Sequence, residues 1–302
     1  MPSLIINADD FGLTLGVNRS IAELHRAGVL SSATLMATGA FFDDAVAQAR
    51  ATPTLEVGCH VLLVDGSPAL PPEQIPSLCQ DGRSLRPSLA RFAADLHLGR
   101  IRDAEIEAEA TAQIRRLQAA GMRVSHVDTH KHTHLFPRVL RPLLRAARAC
   151  GVPAIRNPFE PTWAHRVPSA VSTLRRLEVA VLGKYRRAFL RLIRESDIVT
   201  TAGTLGVLAT GTADVPGALR AVLAVVPAGS ETWELVCHPG YPDEHLDRVR
   251  TRLRASRGQE HAALLELIPR SGVRLSTWRD LGSGPGRDLG RDLAGTPPAP
   301  PA

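Results

Sequence analysis

Aromatic side chains are scarce: seven Phe, three Trp and two Tyr make up 4% of 302 residues. That disfavours an aromatic sugar-binding platform or a base-stacking surface. Cysteine is sparse too. Cys59, Cys79, Cys150 and Cys237 show no CxxC spacing, which argues against a thiolate zinc site and for a reducing compartment. No apolar run approaches the roughly 18 residues that a bilayer-spanning helix needs. The opening Met1-Pro2-Ser3 lacks the basic start of a secretory signal, so the expected location is cytoplasmic. Positive charge is in modest excess, with 36 Lys and Arg against 30 Asp and Glu, a net +6. Such an excess suits nucleic acid or an anionic membrane. No nucleic-acid motif accompanies it and interleaved aromatics are missing, so the expectation is no nucleic acid but a membrane surface or a lipid-linked substrate.

What is present begins at Asn7-Ala8-Asp9-Asp10-Phe11-Gly12, directly after the apolar Leu4-Ile5-Ile6. Neighbouring residues on an extended strand face opposite ways. At a strand end, where the pleat breaks, both carboxylates can turn into one site, and Gly12 permits a sharp turn there. One can then hold a metal while the other moves a proton. Read alone, an Asp-Asp pair is more often turn chemistry. Here three further strand-like runs end in His: Glu56–Leu63 with His60, Val124–His134 with His126, His130, His132 and His134, and Trp233–Gly240 with His238. Asp and His at several parallel strand ends are what a metal-dependent hydrolase on a barrel-like scaffold needs, because such sites collect on the C-terminal face. Cys59 and Cys237 each precede one of these His residues and are expected to face packing.

Strand and helix signals alternate along the chain, which predicts parallel strands with crossover helices. Strand signals fall near Ser3–Ala8, Ala33–Ala37, Glu56–Leu63, Val124–Asp128, Ala154–Asn157, Ile198–Thr200, Glu234–Cys237 and Val273–Trp278. Helices are expected over Leu15–Ala27, Asp43–Arg50 and Ile101–Ala120, with another starting at Pro137. Val64–Pro87, rich in Pro and Gly, reads as a long loop of functional or mobile character. The fold class is α/β, an irregular (β/α) barrel of seven or eight mostly parallel strands, with incomplete closure as one form the irregularity can take. It spans residues 1–281, and the Gly/Pro/Arg/Asp-rich tail 282–302 is expected to be disordered. A basic stretch, 158–196, stands apart. Leu174, Leu177, Val181, Tyr185, Ala188 and Leu192 recur at helical spacing beside Arg175, Arg176, Lys184, Arg186, Arg187, Arg191 and Arg194. It reads either as a helix lying on an anionic membrane or as an outer helix with a solvated basic face.

Taken together, Asn7–Gly12, Gly58-Cys59-His60, Asp128-Thr129-His130-Lys131-His132-Thr133-His134 and Cys237-His238-Pro239-Gly240 resemble the YdjC-like carbohydrate deacetylases, in order and spacing over about residues 3–280. Within that family the chain looks most like the hopanoid-biosynthesis-associated branch, judged by overall sequence and the basic stretch after Arg156. The resemblance implies an irregular barrel, a divalent metal (zinc, magnesium, manganese or cobalt) and hydrolysis of an N-acetyl group from an amino-sugar glycan or glycolipid. An N-acetylglucosaminyl hopanoid would be met by peripheral contact with the inner face of the membrane. Other readings are deacetylation of soluble chitooligosaccharides, a related metal-dependent amidase or phosphoesterase, and a non-catalytic membrane-associated binding protein.

The family places its metal ligands at positions matching Asp10, His60 and His130, a three-ligand set of the kind that leaves a coordination position open. Asp9 is then the expected general base. His238 is the expected general acid toward the leaving amine, because an imidazole can carry and give up a proton. His130 and His134 share a face if their stretch is helical, His130 and His132 if it is extended. The resemblance favours His130 as ligand and leaves His134 to touch substrate or to support a ligand from behind. Asp128 and Arg156 are expected to orient the site. His126 is expected to pack within its strand, and His25, His97, His165, His245 and His261 to lie on the surface.

Overall fold

The computed structural model describes residues 1–164, 181–208, 210–212 and 214–282. Residues 165–180 of the basic stretch, including His165, Leu174, Arg175, Arg176 and Leu177, and all of the tail beyond Gly282 lie outside the described residues.

Among the described residues nine strands form one sheet in which every pairing between strands is parallel: β1 (Ser3–Phe11), β2 (Ser32–Leu35), β3 (Glu56–Val61), β4 (Val124–Thr129), β5 (Ala154–Ile155), β6 (Val199–Thr200), β7 (Thr204–Leu205), β8 (Thr232–Cys237) and β9 (Arg274–Leu275). Eight follow the order β6-β5-β4-β3-β2-β1-β8-β7, and β9 adds to β1. Among the described residues no pairing joins β6 to β7, so the barrel is incompletely closed there. Strands buried on both faces need an outer layer. Here it is α1 (Leu15–Arg26), α2 (Phe42–Ala51), α3 (Leu89–His97), α4 (Asp103–Ala119), α5 (Pro137–Ala149), α6 (Arg186–Arg194), α7 (Val215–Leu223), α8 (Glu244–Arg248) and α9 (Ser256–Leu267).

Local chemistry explains the boundaries. Thr14 caps α1, its hydroxyl accepting from Val17 N–H. Pro137 occupies the first turn of α5, where its missing N–H costs nothing. The expected strands are present, several of them shorter. α3, α7 and α9 escaped notice because short or weakly periodic segments carry little signal.

Val64–Pro87 is pinned down, not loose. Glu109 of α4 accepts Ala69 and Leu70 N–H at 2.6 and 3.0 Å, and Glu105 accepts Ser77 N–H at 2.7 Å. Ile75, Leu78 and Leu85 join the main core. The described part of the basic stretch also packs inward. Phe159, Phe189, Leu192 and Ile193 are core residues, whereas Val181 is exposed.

Barrel interior space is rationed by one glycine. Gly58 lies against His126, whose ring stacks on Trp278 with centroids 4.0 Å apart. A Cβ at position 58 would sit 2.3 Å from His126 Cε1. His126 thus packs within the barrel as expected, and burial holds its imidazole well below the usual histidine range. Overpacking a filled interior costs about 1–3 kcal/mol. Gly58→Ala is therefore expected to lower unfolding free energy by about that amount, read as a reduced midpoint in urea.

Candidate functional site

β1 does not end at the paired carboxylates; it bulges there. Its register against β2 shifts between Ala8 and Phe11, and Asp10 takes the left-handed region at φ 65°. A bulge re-aims side chains that a regular pleat would send to opposite faces. Gly12 follows at φ 92° and completes the turn. Asp9 and Asp10 thereby enter the same region of the barrel mouth, each against a different guanidinium.

Asp9 meets Arg156, which directly follows β5. Arg156 Nη1 and Nη2 donate to Asp9 Oδ2 and Oδ1 at 2.8 and 2.6 Å. Asn7 Nδ2 and Thr34 Oγ1 also donate to Asp9 Oδ1, at 2.9 and 3.1 Å. Oδ1 is thus saturated, while Oδ2 lies 3.8 Å from His238 Nε2. Burial pushes the Asp9 carboxyl up, but Arg156 and His60 outweigh it and hold the group far below the usual carboxylate range. Arg156 also contacts Asp128 Oδ2 at 2.6 Å and, through Nε, Glu234 Oε1 at 2.7 Å. Three carboxylates share this fully buried cation. For Glu234 the balance falls the other way: burial exceeds the help from Arg156 and pushes its carboxyl up to about 7.

The expected metal ligands converge. His60 on β3 sits opposite Asp128 on β4 in register, and Asp128 Oδ1 lies 2.7 Å from His60 Nδ1. A bond at Nδ1 leaves Nε2 as the ligand atom. That Nε2 is 3.3 Å from His130 Nδ1 and 3.7 Å from Asp10 Oδ1, and His130 Nδ1 is 3.6 Å from the same oxygen. Burial lowers the proton affinity of His60, yet Asp128 more than compensates and pushes its pKa up to about 9. Asp10 is raised by burial and lowered further by Arg257, ending well below the ordinary value. One carboxylate oxygen and two imidazole nitrogens facing a common point fit a divalent cation. A second cluster, Asp9, His60 and Asp128, is comparably tight. Its two carboxylates already hold Arg156, so that place is taken by a cation the chain supplies.

The stretch after β4 is neither a regular α-helix nor a strand. His130–Leu135 forms a 3-10 segment broken by left-handed Lys131 and His132 (φ 55° and 52°). His134 turns away from Asp10, His60 and His130. Its Nδ1 meets Thr129 Oγ1 at 2.7 Å and its Nε2 the Arg156 carbonyl at 3.2 Å, and the ring is fully buried. Both nitrogens are used, so His134 supports Arg156 from behind and is not placed to touch substrate. Burial and Arg156 push its pKa down to about 3.

Four participants carried no sequence signal strong enough to name them. Thr34 bridges Asp9 and Asp128. Glu234 was visible only as an acid inside an apolar strand. Arg257 and Glu260 on α9 reach Asp10 and the His238 backbone N–H, both at 2.5 Å. Of the histidines expected on the surface, His261 is buried and bonded to Ser20 and Tyr241. It lies in the seam between α1 and α9, where two hydroxyls hold its ring nitrogens. All four cysteines are free and buried.

The pattern described as YdjC-like protein matches residues 3–269, and the chain belongs to that family. It is 43% identical over 157 residues to a carbohydrate deacetylase of Brevibacillus brevis, covering 52% of this chain and 59% of that protein. It is 36% identical over 153 residues to a carbohydrate deacetylase of Vibrio campbellii, covering 50% and 57%. The chain thus matches little more than half the length of these relatives. In structure it resembles an Enterococcus faecalis V583 protein named for cellobiose-phosphate cleavage, with TM-score 0.75 and 26% identity over 93% of this chain and 98% of that one.

Glu234 yields a pH test. Its folded pKa lies above the unfolded value near 4.5, so the protonated form favours folding. That contribution is full below about pH 4.5 and is lost as pH rises through about 7. Replacing Glu234 with Gln removes the titration. Between pH 5 and pH 8 the stability of Glu234→Gln relative to the parent should therefore rise, by about 1–3 kcal/mol, in paired urea denaturations.

Proposed function

We propose that the chain is a metal-dependent carbohydrate N-deacetylase, with Asp10, His60 and His130 as metal ligands, Asp9 as general base and His238 as general acid. The observation that carries this reading is the convergence of Asp10 Oδ1, His60 Nε2 and His130 Nδ1 at 3.3 to 3.7 Å. The Asp9–His238 pair lies beside it. The names of the family relatives agree with the reading. A divalent ion held by these atoms supplies Lewis acidity, acidifying water and polarising the acetyl carbonyl.

The reaction adds water across an amide and releases acetate and a free amine. Asp9 takes the proton of the attacking water on Oδ2, the oxygen left without donors other than Arg156. Arg156 keeps Asp9 ionised and fixed. His238 Nε2 gives a proton to the leaving nitrogen, without which the tetrahedral intermediate would revert to amide. Asp128 holds His60, and through Arg156 it also aligns Asp9. The tight pairing with Arg156 favours one second reading, in which Asp9 is too weak a base and His238 carries both proton transfers. Asp9→Asn decides between them. As base, its loss should lower turnover by about 10²-fold or more with metal content intact; as an aligner, a much smaller fall is expected. His60→Ala and His130→Ala should each abolish tight metal binding, measured by metal analysis after dialysis. Full occupancy in either variant would sink the ligand assignment.

The finer substrate in this reading is an N-acetylglucosaminyl group carried on a hopanoid, reached from the cytoplasmic face of the membrane. The exposed arginines of α6 support that orientation, its apolar face being turned into the core. No described helix is long and apolar enough to cross a membrane. Basic residues near an anionic surface contribute on the order of 1 kcal/mol each. Neutralising Arg186, Arg187, Arg191 and Arg194 should therefore reduce liposome binding and glycolipid turnover while a soluble analogue is hydrolysed normally. Far better turnover of soluble chitooligosaccharides, with no liposome binding at low salt, would replace the hopanoid substrate and leave the deacetylase intact.

A further inference from the structure

α9 carries no residue of the strand-end motifs, yet it grips the site at two points. Arg257, only 1% exposed, sends Nη2 to Asp10 Oδ2 at 2.5 Å and Nη1 to the His238 carbonyl at 3.4 Å. One turn later, Glu260 accepts the His238 N–H at 2.5 Å. The Arg257 carbonyl in turn accepts Gly240 N–H at 3.3 Å. Gly240 leaves room for this side chain, since a Cβ there would lie 3.2 Å from Arg257 Cδ. The loop His238-Pro239-Gly240 is thus tied to α9 from both sides.

We propose that Arg257 is a positioning residue that fixes Asp10 as a one-oxygen metal ligand; this rests on the metal-site reading above. A carboxylate can ligate through either oxygen or both. At Asp10 the two oxygens are divided: Oδ1 faces His60 and His130, and Oδ2 is taken by Arg257. The left-handed backbone at Asp10 aims the carboxylate, and the guanidinium sets its rotation. Arg257 Nε is buried without a hydrogen-bond partner. Its Nη groups go to Asp10 and to the His238 carbonyl, so one side chain holds both β1 and the loop after β8.

Cobalt(II) is the probe, because its visible absorption weakens as coordination number rises and so reads how Asp10 binds. Arg257→Lys keeps the charge and loses the two-pronged geometry; Arg257→Met loses both. The expected result is an altered visible band in both variants, with cobalt affinity in Arg257→Lys reduced by about 10-fold, the usual scale for a group that orients a ligand. Thermal midpoints of the metal-free proteins report folding separately. Should Arg257→Met fail to fold, Arg257→Lys alone decides. A parental band and affinity in Arg257→Lys would make Arg257 a mere counter-charge and overturn the proposal. Failure of the parent protein itself to bind cobalt would overturn the metal reading first and this inference with it.

Discussion

A single buried cation, the guanidinium of Arg156, sets the geometry on which the rest of the site depends. Asp9 comes from β1, Asp128 from β4 and Glu234 from β8, and all three turn to this group in the barrel interior. Buried charges are costly unless paired, and removing one partner leaves the others uncompensated. Three carboxylates outnumber the one guanidinium, and burial puts the strain on Glu234, the carboxyl raised toward neutrality. With Oδ2 held by Arg156, Asp128 turns Oδ1 to His60. That one bond presents His60 Nε2 to Asp10 and His130.

The adjacent carboxylates divide their work through the backbone rather than through side-chain chemistry. A bulge in β1 and a left-handed Asp10 let two neighbours share one barrel mouth while meeting different arginines. Asp9 is locked by Arg156 on both oxygens, with only Oδ2 free of further donors; Asp10 is held on one oxygen by Arg257. Left-handed backbone at a non-glycine residue is uncommon and persists where surrounding contacts over-determine it. Lys131 and His132 repeat that device just after His130, which faces the same point as Asp10 from the loop side.

The sheet was legible because buried parallel strands write themselves as short apolar runs, and their polar endings marked Asp9, Asp10, His60, His130 and His238 before any fold was known. Arg156 was within reach as a charge following a short strand. His134 misled because spacing rules for helix and strand both failed in a segment that is neither. Its partners, Thr129 and the Arg156 carbonyl, come from the strand end it follows and from the neighbouring strand. α9 was illegible for a different reason. Its Arg257 and Glu260 act on His238, 19 and 22 positions away along the chain, and Arg257 also on Asp10 near the opposite end, and nothing local distinguishes them from solvated helix charges. His261 shows the same limit, a residue with surface-like neighbours in sequence that folding places in a seam.

Residue order therefore settles which groups can do chemistry and that they stand at parallel strand ends, because side-chain type and strand periodicity are local properties. Which of these groups are ligands, which are held from behind and which cation each carboxylate meets is decided only when the strands close around one another. Those assignments are contacts between β1, β3, β4, β5, β8 and α9, and burial makes each pairing obligatory: a charge that water could satisfy in the open chain must find its partner inside the barrel.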